Sequence, residues 1–143
     1  MKNLLVYITV FVFFFGLFSI NSCNDGLEIM NDYEFTVTHL PVPKRLKTGE
    51  TAEIRFELER SGRYSGARYY VRYFQTDGAG ILMFDGSALI PNDSYELKKE
   101  SFRMYYTSQC EEQQAIEMTF YDNFGNRCDL TFTFSHAATK KEE

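Results

Sequence analysis

Apolar and polar residues alternate along most of the chain from residue 33 onward, which is the pattern of strands that bury one face. The clearest example is the segment TAEIRFELER (51–60), where four apolar side chains occupy alternate positions and charged side chains lie between them. A helix would spread these charges around its circumference, whereas a strand with one solvent-exposed face separates them. The segment is therefore predicted to be a strand.

Similar segments recur between turn signals, and no segment shows helical periodicity over a normal helix length. Seven strands are predicted, at about 33–38, 51–60, 67–75, 81–86, 95–107, 116–120 and 128–134. Many short strands with frequent turns predict an all-β, Ig-like β-sandwich of about seven antiparallel strands with Greek-key connections. The chain has no Trp and no facing cysteine pair is expected, so the term Ig-like refers to architecture alone.

The N-terminal segment has a different pattern. Lys2 precedes an almost wholly apolar run, Leu4–Ile20, and the chain stays uncharged from Asn3 to Asn24. This arrangement is typical of a secretory signal. A membrane-spanning helix needs about 20 apolar residues, so the run lies near the lower limit and length alone leaves an uncleaved anchor open.

A cysteine marks the end of this run. Ile20-Asn21-Ser22-Cys23 resembles a bacterial lipobox, with an aliphatic residue three positions before the cysteine and a small residue just before it. Asn21 departs from the usual small or aliphatic residue. The resemblance implies that Cys23 is lipidated and holds the protein on the bacterial cell envelope, at the outer membrane or the periplasmic face. The alternative is an ordinary signal with a cysteine near its end by chance.

These patterns predict four regions: a lipoprotein signal peptide (1–22), a tether (23–32), a sandwich domain (33–135) and a disordered charged tail (136–143). Without the signal peptide, 14 Lys and Arg remain against 20 Asp and Glu, so the net charge is −6. An acidic domain is a poor sequence-independent ligand for nucleic acid, because such binding depends on Lys and Arg neutralising phosphates. Nor does this net charge attract anionic lipid in general, so the predicted anchor is the acyl group.

The sequence contains no nucleophile elbow, phosphate loop, zinc-ligand cluster or dinucleotide fingerprint. We therefore expect a protein that is not an enzyme and has no cofactor or metal. His39 and His136 have no ligand-type neighbours at metal-binding spacing. Several loop residues are oxygen donors suited to calcium, but such residues are also typical of turns. They are Asp77, Asp85, Asn92, Asp93 and Ser94.

Two cysteines remain beyond Cys23. If the last two strands form a hairpin around 123–126, Cys128 faces Tyr121 and Cys110 lies about 20 Å away along the strand. A disulfide tolerates at most about 7 Å between Cα atoms, so two free thiols are predicted. Cys128 is expected in the core and Cys110 in a loop.

An arginine and aromatic pattern gives the candidate binding site. In ARYYVRYFQ (67–75), period two places Arg68, Tyr70, Arg72 and Phe74 on one face, and Tyr69, Val71 and Tyr73 on the core side. Arg and Tyr concentrate in the hot spots of protein interfaces, so the first face is a candidate partner-binding surface. The alternative is a solvated strand whose arginine stems cover aromatic rings.

Two long segments, GETAEIRFELERSGRYSGARYYVRYFQTDGAGIL and SFRMYYTSQCEEQQAIEMTFYDNFGNRCDLTFTF, follow the lipoprotein-like signal. Together they resemble the TraQ proteins encoded in the transfer operons of Bacteroides-type conjugative transposons, over about Tyr33 to Phe134. The resemblance implies an envelope component linked to DNA transfer, whose partners are other transfer proteins and the membrane, with no direct nucleic-acid binding. The alternative hypotheses are a carbohydrate-binding surface lipoprotein and an enzyme acting on envelope polymers.

Overall fold

The computed structural model describes residues 33–138, and every regular element in that range is a strand. The ten strands are β1 (Phe35–His39), β2 (Arg45–Leu46), β3 (Thr51–Arg60), β4 (Tyr69–Asp77), β5 (Gly80–Phe84), β6 (Ser87–Ala88), β7 (Tyr95–Leu97), β8 (Ser101–Ser108), β9 (Gln114–Asp122) and β10 (Arg127–His136). The predicted signal peptide, the whole predicted tether and the last five residues of the tail lie outside the described residues. Strand β10 ends at His136, one residue beyond the predicted domain boundary.

The strands form two five-stranded sheets. Sheet 1 has the order β1-β3-β8-β5-β6, and sheet 2 has the order β2-β10-β9-β4-β7. All the strand pairs in the described region are antiparallel except β2 with β10, which is parallel. The prediction of an all-β sandwich is confirmed, with short additional strands and one parallel pair.

The proline segment between β1 and β2 explains how the chain changes sheets. The Leu40 N–H donates the last bond to β3, at the Arg55 carbonyl (3.0 Å). Pro41 and Pro43 have no N–H to donate, so the ladder cannot continue. The chain then crosses to sheet 2, where Leu46 pairs with His136 of β10.

The predicted strand over 95–107 was wrong, because the chain divides it between the two sheets. β7 pairs with β4 in sheet 2, and β8 pairs with β3 and β5 in sheet 1. The inward residues change from odd numbers (Leu97) to even numbers (Phe102) across Lys98–Glu100. That change of phase, together with three successive charged residues, marks the break.

Asp85 and Gly86 form the turn between β5 and β6. Both have positive φ, 47° and 79°, and Phe84 pairs with Ser87 on either side. A two-residue hairpin with Asp-Gly in this conformation is a common turn, so turn geometry accounts for Asp85.

Aromatic rings join the two sheets in the core. Phe56 of sheet 1 stacks on Phe102, with ring centroids 5.1 Å apart, and approaches Phe120 and Phe132 of sheet 2 at 5.5 and 5.8 Å. Tyr106 stacks on Phe134 at 5.0 Å. All these residues are buried. Such packing excludes water from between the sheets and supplies much of the favourable free energy of folding.

We predict that Phe56→Ala lowers the free energy of unfolding by about 3–5 kcal/mol, because it removes a ring in contact with both sheets and leaves a cavity. Urea unfolding of the purified domain followed by circular dichroism measures the loss. Phe74→Ala is the matched control, since Phe74 is partly exposed on the outside of sheet 2. Equal losses in the two variants would contradict the described core.

Candidate functional site

Strand β4 places the predicted face on the outside of sheet 2. Tyr69, Val71 and Tyr73 are buried in the core, as the period-two pattern predicts. Tyr70 and Arg72 are half-buried and face outward, and the Phe74 side chain is 38% exposed. The division of β4 into a core side and an outer side is therefore as expected.

Tyr121 of β9 lies under this face and was missed by the sequence analysis. Its ring stacks on Tyr70 with centroids 5.5 Å apart, and the Arg72 guanidinium carbon lies 5.6 Å from the centroid of the same ring. A guanidinium at this distance over a Tyr ring contributes about 0.5–1 kcal/mol at an exposed site. Tyr121 lies opposite Tyr70 in the β4–β9 pair, and the sequence pattern of either strand alone does not give that register.

Arg68 does not share the strand with the other three predicted residues. It precedes β4, where its N–H donates to Asn123 Oδ1 (2.8 Å) and its carbonyl accepts from the Asn123 N–H (3.2 Å). The side chain is exposed at the end of the sheet. We therefore define the β4 face as Tyr70, Arg72, Phe74 and Tyr121.

The outside of sheet 1 carries a second exposed apolar surface, which the sequence analysis missed. Tyr105 of β8 pairs with Met83 of β5, and Ile81 lies two residues along β5 on the same side. Their side chains are 41%, 36% and 36% exposed. The alternation in SFRMYYTS (101–108) indicated this surface, because it places Arg103 and Tyr105 on the face of β8 that points away from the core.

Two arginines beside this surface share one carboxylate. Arg55 and Arg103 lie directly opposite each other in β3 and β8, and both approach Glu53 Oε1, at 3.2 and 3.1 Å. The hydrogen bond from Arg55 lowers the pKa of the Glu53 carboxyl, and Arg103 adds to the effect. The arginines line a shallow groove of about 400 Å³ that also includes Thr38, Leu40 and Glu57. Because Glu53 and Glu57 balance the two cations, the groove does not favour a ligand of either charge.

Both cysteines in the described region are free and half-buried. Cys128 pairs with Phe120 and not with Tyr121, so the predicted register was off by one residue. Residues directly opposite each other in a sheet point to the same side. Cys128 therefore points to the core side, as buried Phe120 does, and packs against the core. Cys110 lies in the β8–β9 loop, where its Sγ accepts a hydrogen bond from the Ala79 N–H (3.2 Å).

Within residues 33–138, no group of three His, Cys, Asp or Glu side chains lies close enough to hold a metal ion. His39 ends β1, and its ring packs against Phe132 with centroids 4.7 Å apart. His136 ends β10. The same range contains no helix with the length and hydrophobicity needed to cross a membrane.

Comparison with known proteins gives the family. The model of the TraQ conjugal transfer protein family matches residues 4–137. The chain belongs to the TraQ family. This membership confirms the resemblance seen in the sequence and supports a role in conjugal transfer.

Solved structures support the assignment of this TraQ family member. It is similar to a conjugative transposon lipoprotein from Bacteroides eggerthii, with 45% identity and a TM-score of 0.68 over 71% of this chain and 97% of that one. It is 50% identical to a lipoprotein from Bacteroides thetaiotaomicron, with a TM-score of 0.69 over 84% of this chain and 93% of that one. A conjugate transposon protein from Bacteroides vulgatus is 41% identical, with a TM-score of 0.65 over 83% of this chain and 97% of that one. Among curated proteins, none matches the chain.

We predict that this TraQ protein, purified from bacterial membranes and denatured without reductant, has two thiols that react with Ellman's reagent. Cys110 and Cys128 are free, and the Cys23 sulfur is held in a thioether if the lipobox resemblance is correct. Titration with Ellman's reagent gives the count, and a reduced sample is the control. A count that rises on reduction would contradict the two free thiols, and a count of three would contradict lipidation.

Proposed function

We propose that this TraQ protein is a non-catalytic envelope lipoprotein, an accessory component of a conjugative DNA-transfer apparatus that acts through protein–protein contacts. Its anchor is a lipid on Cys23, which lies outside the described residues. Family membership and the lipoproteins among its relatives support the location and the process. We assign the contact to the β4 face, with Arg68 at its margin.

The geometry around Tyr121 is the observation that carries this assignment. Tyr121 supports Tyr70 by stacking and Arg72 by a cation–π contact, so both side chains are held in place before a partner arrives. Ordering a long side chain on binding costs about 0.5–1.5 kcal/mol, and a preformed surface avoids part of that cost. Phe74 stands beside Arg72 as a partly exposed apolar group. An arginine and aromatic rings in one rigid cluster match the composition of interface hot spots.

The tether gives this surface access to membrane proteins. A multiply acylated cysteine holds a protein on a bilayer because each buried methylene contributes about 0.8 kcal/mol. The domain then searches for partners within the reach of its tether, which raises their effective concentration. Modest affinity at the β4 face is therefore sufficient for function.

We predict that Arg72→Ala combined with Phe74→Ala reduces capture of other transfer proteins about tenfold, since loss of a hot spot costs more than 1 kcal/mol of binding free energy. The variant replaces the native protein in donor cells, and cross-linking followed by affinity purification measures capture. Conjugation frequency is measured in the same strains. The free energy of unfolding should fall by no more than about 1 kcal/mol, because the lost contacts are surface ones.

The double variant Arg103→Ala and Tyr105→Ala is the matched control. It removes the same kinds of side chain at the same spacing, but from the outside of sheet 1. We expect capture to be unchanged in this control. If it loses capture while the β4 variant keeps it, the contact surface lies on sheet 1. If no transfer protein is recovered with the native chain, the proposed function is wrong.

A further inference from the structure

Three aromatic rings form a cluster at the end of the sandwich where the described chain begins. The ring centroid of Tyr33 lies 3.5 Å from that of Tyr64, in the β3–β4 loop, and 4.7 Å from that of Phe124, in the β9–β10 turn. Tyr64 is 37% exposed and Phe124 is 42% exposed. We call Tyr33, Tyr64 and Phe124 the aromatic tip.

The β9–β10 turn holds Phe124 in position. Asp122 Oδ1 accepts hydrogen bonds from the N–H groups of Phe124 (2.9 Å) and Asn126 (2.8 Å). Gly125 has a φ of 97°, a conformation that favours glycine. The Asn126 side chain donates to the Tyr33 carbonyl (3.2 Å), which ties the turn to the start of the described chain.

Asn123 fixes the β3–β4 loop against the same turn. Its Nδ2 donates to the Gly66 carbonyl (2.8 Å), and its Oδ1 accepts from the Arg68 N–H (2.8 Å). Three separate segments of the chain therefore meet at the tip through hydrogen bonds. This network holds the partly exposed rings in fixed positions.

Basic residues surround the tip even though the whole chain has a net charge of −5. Arg63 and Arg68 are exposed in the β3–β4 segment. Lys98 and Lys99 are exposed in the β7–β8 link, which crosses the same end because Leu97 pairs with Tyr69 and Glu100 bonds to Leu58.

Acidic residues lie at the same end. Glu100 forms an ion pair with Arg60, and Glu34, Glu59 and Glu96 are exposed. Asp122 is buried in the β9–β10 turn, where its carboxylate accepts hydrogen bonds from backbone N–H groups. The charges at this end are therefore mixed, and the four exposed Arg and Lys side chains supply cations at the margin of the tip.

We infer that the aromatic tip rests on the membrane surface, with its rings among the lipid head groups and its basic residues against anionic lipid. The inference rests on the proposed anchoring at Cys23. Nine residues, 24–32, separate that cysteine from Tyr33, and ten extended residue steps from Cys23 to Tyr33 span at most about 36 Å. The chain thus enters the domain at the end that carries the tip, within reach of the bilayer.

Aromatic side chains suit the membrane interface, where tyrosine in particular is enriched, and each Lys or Arg near an anionic surface contributes about 1 kcal/mol. With the tip on the membrane, the strands run away from the bilayer and the outer faces of both sheets point sideways. The β4 face then remains open to neighbouring membrane-bound proteins. The contact orients the domain relative to the membrane, which anchoring at a single point does not.

A single tryptophan tests the inference, because the chain has no Trp. Phe124→Trp places the fluorophore in the tip. Leu40→Trp is the matched control, since Leu40 is 55% exposed and follows the far end of β1. It lies seven residues from Tyr33, about 23 Å in an extended chain. Each full-length variant is purified from bacterial membranes and reconstituted into phosphatidylethanolamine and phosphatidylglycerol vesicles that contain a head-group nitroxide lipid.

We expect both variants to float with the vesicles. Only the tryptophan of Phe124→Trp should shift its emission to shorter wavelength, and the nitroxide should quench most of its fluorescence. If both variants float and Phe124→Trp is quenched no more than Leu40→Trp, the tip does not rest on the membrane, although the protein is still anchored to it. If neither variant floats, the anchoring on which the inference rests is wrong. Circular dichroism of both variants checks that the fold is unchanged.

Discussion

The packing of aromatic rings between the two sheets is the contact on which the rest of this structure depends. Phe56 approaches rings from both sheets, and Tyr106 stacks on Phe134 further along the core. Because these inward residues bury apolar surface, the outward residues of the same strands contribute little to folding and are available for binding. The β4 face and the surface around Tyr105 both result from this division.

The sequence predicted the local part of the fold well. Alternation identified β3 and β4 and assigned the correct side to Tyr69 and Tyr70, because a strand's period of two depends only on neighbours in the chain. The break at Lys98–Glu100 was missed, although the change from odd to even inward positions was visible. The short strands β2 and β6 were missed because two residues have no period, and their pairing depends on distant segments.

The candidate site was only partly predictable for the same reason. Arg72 and Phe74 followed from alternation, but the support that Tyr121 gives to Arg72 depends on the register between β4 and β9. The aromatic tip brings together residues that are far apart in sequence, Tyr33, Tyr64 and Phe124, and its hydrogen bonds come from a turn that sequence analysis treats as a connection. The negative net charge of the chain also gave no indication of the basic residues around the tip, because a sum does not show where charges lie.

The proposed location, the partner contact and the membrane contact all depend on attachment of the mature TraQ protein to the envelope through Cys23. Mass spectrometry of the protein purified from bacterial membranes tests this most directly. We expect an N-terminal peptide that begins at Cys23 and carries a diacylglyceryl group in thioether linkage to its sulfur. An unmodified Cys23, or a mature chain that begins at another residue, would contradict it.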